Sequence, residues 1–353
     1  MTVPKTFLDL LKAPGPSGRE AAASAIFREA SAKFADEVEG DLVGSSTARV
    51  KGKPGERTLA VVGHIDEIGL IVSHIDDKGF LRFQQVGGWD PVVLIGQRVE
   101  ITGRDGKPVA GVIARKPIHL MEPDERGKSA KIKDLHVDIG AKDGDDAKSM
   151  VRVGDVGVIA VEPLELPNGR LASRAMDNRI GCFVAMEAAR LVADAGGAAF
   201  DVVAVAAAQE ETTFGGSTTV THRLRPDVAI AVDVTFATDQ PGVETGELSD
   251  HHMGSGPVIT RGTNLHPVVC DGLIDTAEAK GIDHTLAAEG RTTSTDADAI
   301  NLSRDGVPTA LVSVPLRYMH SPVEVVQISD IEAAARLIAE YALSLPADVD
   351  FNR

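Results

Sequence analysis

Short aliphatic runs constrain this chain more than any other feature. Residues 202–208 (VVAVAAA) and 228–232 (VAIAV) show no apolar/polar alternation, the mark of strands buried on both faces. Residues 58–63 (TLAVVG), 68–73 and 308–314 (PTALVSV) are further short apolar segments that read as strands. Helical spacing occupies residues 6–11, 20–34, 178–193, 267–280, 296–304 and 329–343, with Ser329 as a candidate N-cap for the last. Strands alternating with helices predict an α/β fold with a central mixed sheet flanked by helices.

The texture changes between residues 76 and 162. Short alternating segments at 80–84, 97–101, 109–114 and 156–161 are separated by turns such as Asp77-Lys78-Gly79 and Asp143-Gly144. Such regular short strands predict a small β-barrel or sandwich. At 353 residues the chain exceeds the usual size of one hydrophobic core. The expected organisation is a domain built from residues 1–75 and 163–353, interrupted by a β-rich insertion at 76–162.

Composition removes some functions. Net charge is −16, which argues against nucleic acid and anionic membrane surfaces as partners, since both need basic patches. No apolar run approaches the roughly 20 residues of a membrane span. The N-terminal segment has no apolar core followed by a cleavage site. Cys182 and Cys270 stand alone, which fits a reducing compartment. A cytoplasmic location is expected.

Candidate chemistry gathers where the apolar runs stop. Residues 58–63 lead into His64-Ile65-Asp66-Glu67, and 202–208 into Gln209-Glu210-Glu211. Residues 228–232 lead into Asp233, and the loop after 308–314 carries His320. Asp177 stands between an apolar segment and a helix start. Alone, each has an ordinary alternative: a capped turn, a helix N-cap, a solvated loop. Together they supply imidazole and carboxylate ligands of the kind zinc accepts, at the strand ends where an open α/β sheet presents its site. His64 and Asp66 point the same way in extended chain, so Asp66 can hold the second imidazole N–H while His64 binds metal. Glu210 and Glu211 would diverge on a strand, one to bind metal and one to handle a proton. Five ligands exceed the three of a single catalytic zinc, so two divalent ions are expected. His119, His251 and His252 are not expected to take part.

The segments LLKAPGPSGRE, GHIDEIGLIV, SRAMDNRIG, QEE, DVAIAVDVT, GSGPVI, STDADAI and HSPVEVVQISDI resemble, in order, those of the tetrahedral (glutamyl and deblocking) aminopeptidases, cytosolic dinuclear metallopeptidases. The resemblance implies that His64 and Asp233 are terminal ligands of one metal, Glu211 and His320 complete the other, and Asp177 bridges them. It implies Glu210 as general base and Asp66 as the residue that orients His64. It implies zinc, with cobalt or manganese as alternatives. It also implies that the insertion is a dimerisation domain, with dimers assembling further, often to a tetrahedral dodecamer. One departure stands out. The family usually follows Gln-Glu-Glu with Val-Gly-Leu-Arg-Gly-Ala; here the chain reads Thr212-Thr213-Phe214-Gly215-Gly216-Ser217, with Gly215 in place of Arg. That departure bears on specificity and loop geometry.

The expected function is hydrolysis of N-terminal residues from peptides. The alternatives are a carboxypeptidase or deacylase using the same site, and a non-catalytic assembly protein that has kept the fold. A glycosidase built on paired carboxylates leaves His64, Asp233 and His320 without a purpose.

Overall fold

The structure is a computed structural model that describes residues 3–352 apart from 54–55, 125, 245 and 247–248. Its centre is an eleven-stranded mixed sheet. Four parallel strands form the middle in the order Asp201–Ala207, Thr58–His64, Val228–Phe236 and Thr309–Arg317. Antiparallel strands extend both sides: Ser46–Val50 and Glu37–Gly40 on one, Glu324–Gln327, Arg170–Ser173 and Leu164–Leu166 on the other. Val258–Gly262 pairs antiparallel with Thr309–Arg317 and parallel with Thr285–Glu289.

Asp201–Ala207 is buried at every residue, as its unbroken apolar run requires. The helix Met176–Asp194 crosses one face and packs against Ile328–Ser344, Lys5–Lys12 and Ala21–Ser31; Gly215–Leu224 and Asp296–Asn301 pack against each other and the sheet. A close approach sets the site. A Cβ on Gly63 would lie 2.2 Å from the Gly181 carbonyl carbon, and one on Gly181 would lie 2.5 Å from the Val232 oxygen. Only glycine lets strand and helix backbones meet there. The helix N-terminus is therefore pressed onto the ends of the two central strands.

The insertion is a closed barrel of six strands. They are Gly69–Ile75, Leu81–Val86, Leu135–Asp138, Pro108–Arg115, Arg98–Thr102 and Val156–Ile159, each antiparallel to its neighbours. In Arg98–Thr102 alternate residues are buried, the pattern of one inward face. Leu70, Leu81, Ile113, Leu135 and Val137 fill the interior. The strand at 69–75, grouped with the α/β part by sequence, hydrogen-bonds in the barrel instead. The last helix begins at Ile328, so Ser329 lies inside it and caps nothing.

Candidate metal centre

Strand register brings the first two candidates together. Val62 is the partner of Ala231, so two residues further along His64 stands beside Asp233 on the same face. Asp233 does not end its strand as the sequence suggested. The strand runs to Phe236, because Val234, Thr235 and Phe236 keep pairing with Val314, Pro315 and Leu316.

Asp177 lies at the start of the helix Met176–Asp194 but is not its cap. Asp177 and Asn178 have non-helical backbone angles. Asn178 Oδ1 accepts the Gly181 N–H at 2.7 Å, and its Nδ2 donates to the Val232 carbonyl at 2.8 Å. Asn178 thus takes the capping duty and leaves the Asp177 carboxylate for other partners. Asp177 Oδ1 is 3.1 Å from His64 Nε2, and Oδ2 is 3.4 Å from His320 Nε2. One carboxylate addresses two histidines.

Glu210 and Glu211 follow the strand that ends at Ala207. Gln209 adopts a left-handed conformation, and Glu210–Thr213 form one helical turn. The two side chains diverge because successive helical residues are about 100° apart, not by strand alternation. Glu210 Oε2 lies 3.6 Å from His64 Nε2, and Glu211 Oε1 lies 3.5 Å from His320 Nε2. The turn is fixed from below by Asp66. Its Oδ1 accepts the Glu210 N–H at 3.0 Å and its Oδ2 the Glu211 N–H at 3.1 Å. The same carboxylate lies 3.4 Å from His64 Nδ1. Asp66 thus sits under both the imidazole and the acid pair.

Ligand atoms of His64, Glu210 and Asp233 all lie within 4.8 Å of one another, as do those of His64, Asp177 and Glu211. Among the described residues, no Lys or Arg lines this cleft. Burial pushes the Glu210 carboxyl up to about 10 and Glu211 up to about 8, each helped by neighbouring carboxylates. Asp233 is likewise raised, first by burial and then by Asp177. The hydrogen bond to Asp177 raises His320 to about 9. Burial opposes charge on His64, yet Glu210, Asp177 and Asp66 together hold its pKa well above the usual value. This many buried acids cannot all ionise without a strong positive charge among them. The donor set suits divalent cations.

The rejected histidines stay outside these groups. His119 is exposed in a turn of the insertion. His251 lines the cleft but engages Thr285 Oγ1 at 2.8 Å, and His252 is paired with Asp250. At two of the positions that depart from the family pattern, Thr212 Oγ1 meets Ser17 Oγ at 2.9 Å, and a Cβ on Gly215 would lie 2.9 Å from Thr213 Oγ1.

Three supports escaped the sequence reading. Glu324 is buried; it accepts the His320 N–H at 2.9 Å and the Asp177 N–H at 3.2 Å. Gly88, in the insertion, packs against His320: a Cβ there would lie 3.2 Å from Nδ1. Glu67 joins three of the quoted segments. Its carboxylate binds the Gly15 N–H at 3.0 Å, Arg179 Nη2 at 3.3 Å and Arg174 Nη1. Arg179, fully buried, donates in turn to the Leu10 carbonyl at 2.6 Å. The only signal for Glu67 was its place in the same short run as His64. Glu67→Ala leaves two buried guanidinium groups without their anion. We expect a loss of about 3–5 kcal/mol in denaturant unfolding, and a loss under 1 kcal/mol would show the cage to be dispensable.

A helix-flanked mixed sheet with acids and imidazoles converging in an open cleft at its strand ends defines a hydrolytic enzyme of the α/β class. The chain belongs to the M42 glutamyl aminopeptidase family, which it matches over residues 44–337. It is similar to a TET aminopeptidase from a marine-sediment Thaumarchaeota archaeon, with 37% identity, 97% of this chain and 96% of that one covered, and a TM-score of 0.91. The lysyl aminopeptidase of Pyrococcus furiosus is 35% identical, covering 86% of each chain. The TET1 peptidase of Pyrococcus horikoshii, which can assemble into a tetrahedron or a large octahedral shell, is 29% identical over 97% of this chain and 99% of that one, with a TM-score of 0.85. This chain is therefore a hydrolase of an aminopeptidase family. Among the described residues no helix is long and apolar enough to cross a membrane.

Proposed function

We propose that this protein is a cytoplasmic, metal-dependent aminopeptidase that removes N-terminal residues from peptides. The observation that carries the reading is Asp177, whose two oxygens face two different histidines. His64, Asp177 and Asp233 would hold one divalent cation, and Asp177, Glu211 and His320 a second, zinc foremost with cobalt or manganese as substitutes. Such ions supply Lewis-acid charge and activate water at neutral pH. The chain's own residues do the rest. Glu210 takes the proton of the attacking water on its carboxylate and passes it to the leaving amine. Burial raises its proton affinity, and the positive charge of bound divalent ions would favour its carboxylate form. Asp66 keeps His64 and the Glu210 backbone in place. The barrel of the insertion serves dimerisation, and dimers assemble further, with the TET relatives as precedent.

A free α-amine is expected to be required. An acid-rich cleft accepts an ammonium and so fixes the first peptide bond; a misplacement of about 1 Å can cost about a hundredfold in rate. Matched peptides with free and acetylated N-termini, followed by mass spectrometry with a metal-free control, test this. The acetylated peptide should be cleaved about a hundredfold more slowly. Equal rates, or release from the C-terminal end, would favour the carboxypeptidase or deacylase alternative.

A further inference from the structure

The cleft in front of the acid cluster encloses about 500 Å³ and extends well past the proposed ligands. Phe214, Phe236 and Met319 give it apolar walls, and Glu289 gives it a charge. Glu289 ends the strand Thr285–Glu289, whose backbone is anchored where the Glu289 carbonyl accepts the Thr263 N–H at 3.1 Å. Its carboxylate is exposed and makes no hydrogen bond or ion pair among the described residues.

Two arginines on neighbouring segments, Arg261 and Arg317, are committed elsewhere. Arg261 stands beside Ala288 in the paired strand, but its guanidinium binds Asp271 at 2.5 Å. Arg317 precedes Met319 by two residues and is held by Asp239 at 2.6 Å. Arg291 is not part of the wall. His251 does line the cleft, but burial lowers its pKa, so it offers no fixed positive charge. Beyond the proposed metal ligands and Glu210, an acidic first side chain entering here meets no Lys or Arg and one carboxylate, that of Glu289. A lysine or arginine side chain lays its aliphatic stem along the apolar walls and its charged end toward Glu289.

We propose that this cleft selects peptides with a basic first residue over acidic ones, with Glu289 as the residue that reads the charge. The proposal rests on the aminopeptidase reading above. Attraction to one charge and repulsion of the other each contribute about two- to fivefold for an exposed pair, so kcat/KM for lysyl over glutamyl substrates should differ by about tenfold.

The test uses the assembled, metal-loaded protein with lysyl, arginyl, leucyl, glutaminyl and glutamyl coumarin amides. Lysyl and arginyl substrates should lead glutamyl. Glu289→Gln should remove that lead, a change of about tenfold in the lysyl-to-glutamyl ratio, and Glu289→Lys should reverse it. Arg291→Ala should alter no ratio. Raising ionic strength should compress the lysyl-to-leucyl ratio in the parent but not in Glu289→Gln, because salt screens exposed pairs. Faster glutamyl than lysyl turnover, or an unchanged ratio in Glu289→Lys, overturns this proposal and leaves the aminopeptidase reading standing. Failure on every aminoacyl substrate, with cleavage of an acetylated peptide, overturns both.

Discussion

Glu210→Gln will keep its metal and lose about 10²–10⁴-fold in kcat, the range for removing a general acid–base group. Glutamine matches glutamate in size and leaves the backbone N–H on Asp66 Oδ1 untouched. What it lacks is a basic oxygen for the water proton. Glu211→Gln gives the contrast. Glu211 faces His320 and Asp177, so its loss should weaken one metal site and lower stoichiometry toward one ion per chain. Elemental analysis beside steady-state kinetics separates the two outcomes. An active Glu210→Gln, together with a Glu211→Gln that holds both metals, would show the roles to be misassigned. Ligand atoms of Glu210 also lie within 4.8 Å of those of His64 and Asp233. If Glu210→Gln loses an ion, Glu210 is a ligand and the base lies elsewhere.

The sheet was legible because its central strands are buried on both faces and so write themselves as unbroken aliphatic runs. The candidate site was legible because an acid or imidazole stands near each run, where burial of a charge needs a reason. Strand limits were not. Asp233 reads as a terminus because a carboxylate interrupts the apolar pattern, yet the backbone pairing continues to Phe236. Glu210 and Glu211 read as strand residues because nothing in the sequence announces the left-handed turn at Gln209. The barrel strand Leu135–Asp138 was missed: four residues amid charged neighbours carry too little period. Glu67 and Glu324 were missed for a deeper reason. Apart from the His320 N–H, four positions from Glu324, their partners are backbone N–H groups and arginines 52 to 147 positions away, and such partners leave no local spacing to read.

Asp177→Ala is the most damaging single change we foresee, with activity falling to the metal-free baseline and neither site holding its ion at stoichiometric addition. Asn178 caps the helix through Gly181 and ties it to Val232, so Asp177 contributes no capping bond whose loss would unravel the helix. Its N–H to Glu324 survives in alanine. Folding should therefore persist, and what disappears is one carboxylate held between two histidines. Without it each proposed site falls from three protein ligands to two, His64 with Asp233 and Glu211 with His320. Two ligands are fewer than the three a catalytic zinc normally keeps. The loss also removes the anion that the His320 imidazole leans on, so its pKa should fall from about 9 toward the ordinary histidine value, readable by proton NMR of the metal-free protein. Far-ultraviolet dichroism checks the fold, and elemental analysis after dialysis counts the ions. An Asp177→Ala protein that keeps two ions would sink the bridged pair, and one that keeps a single ion would place Asp177 in one site alone.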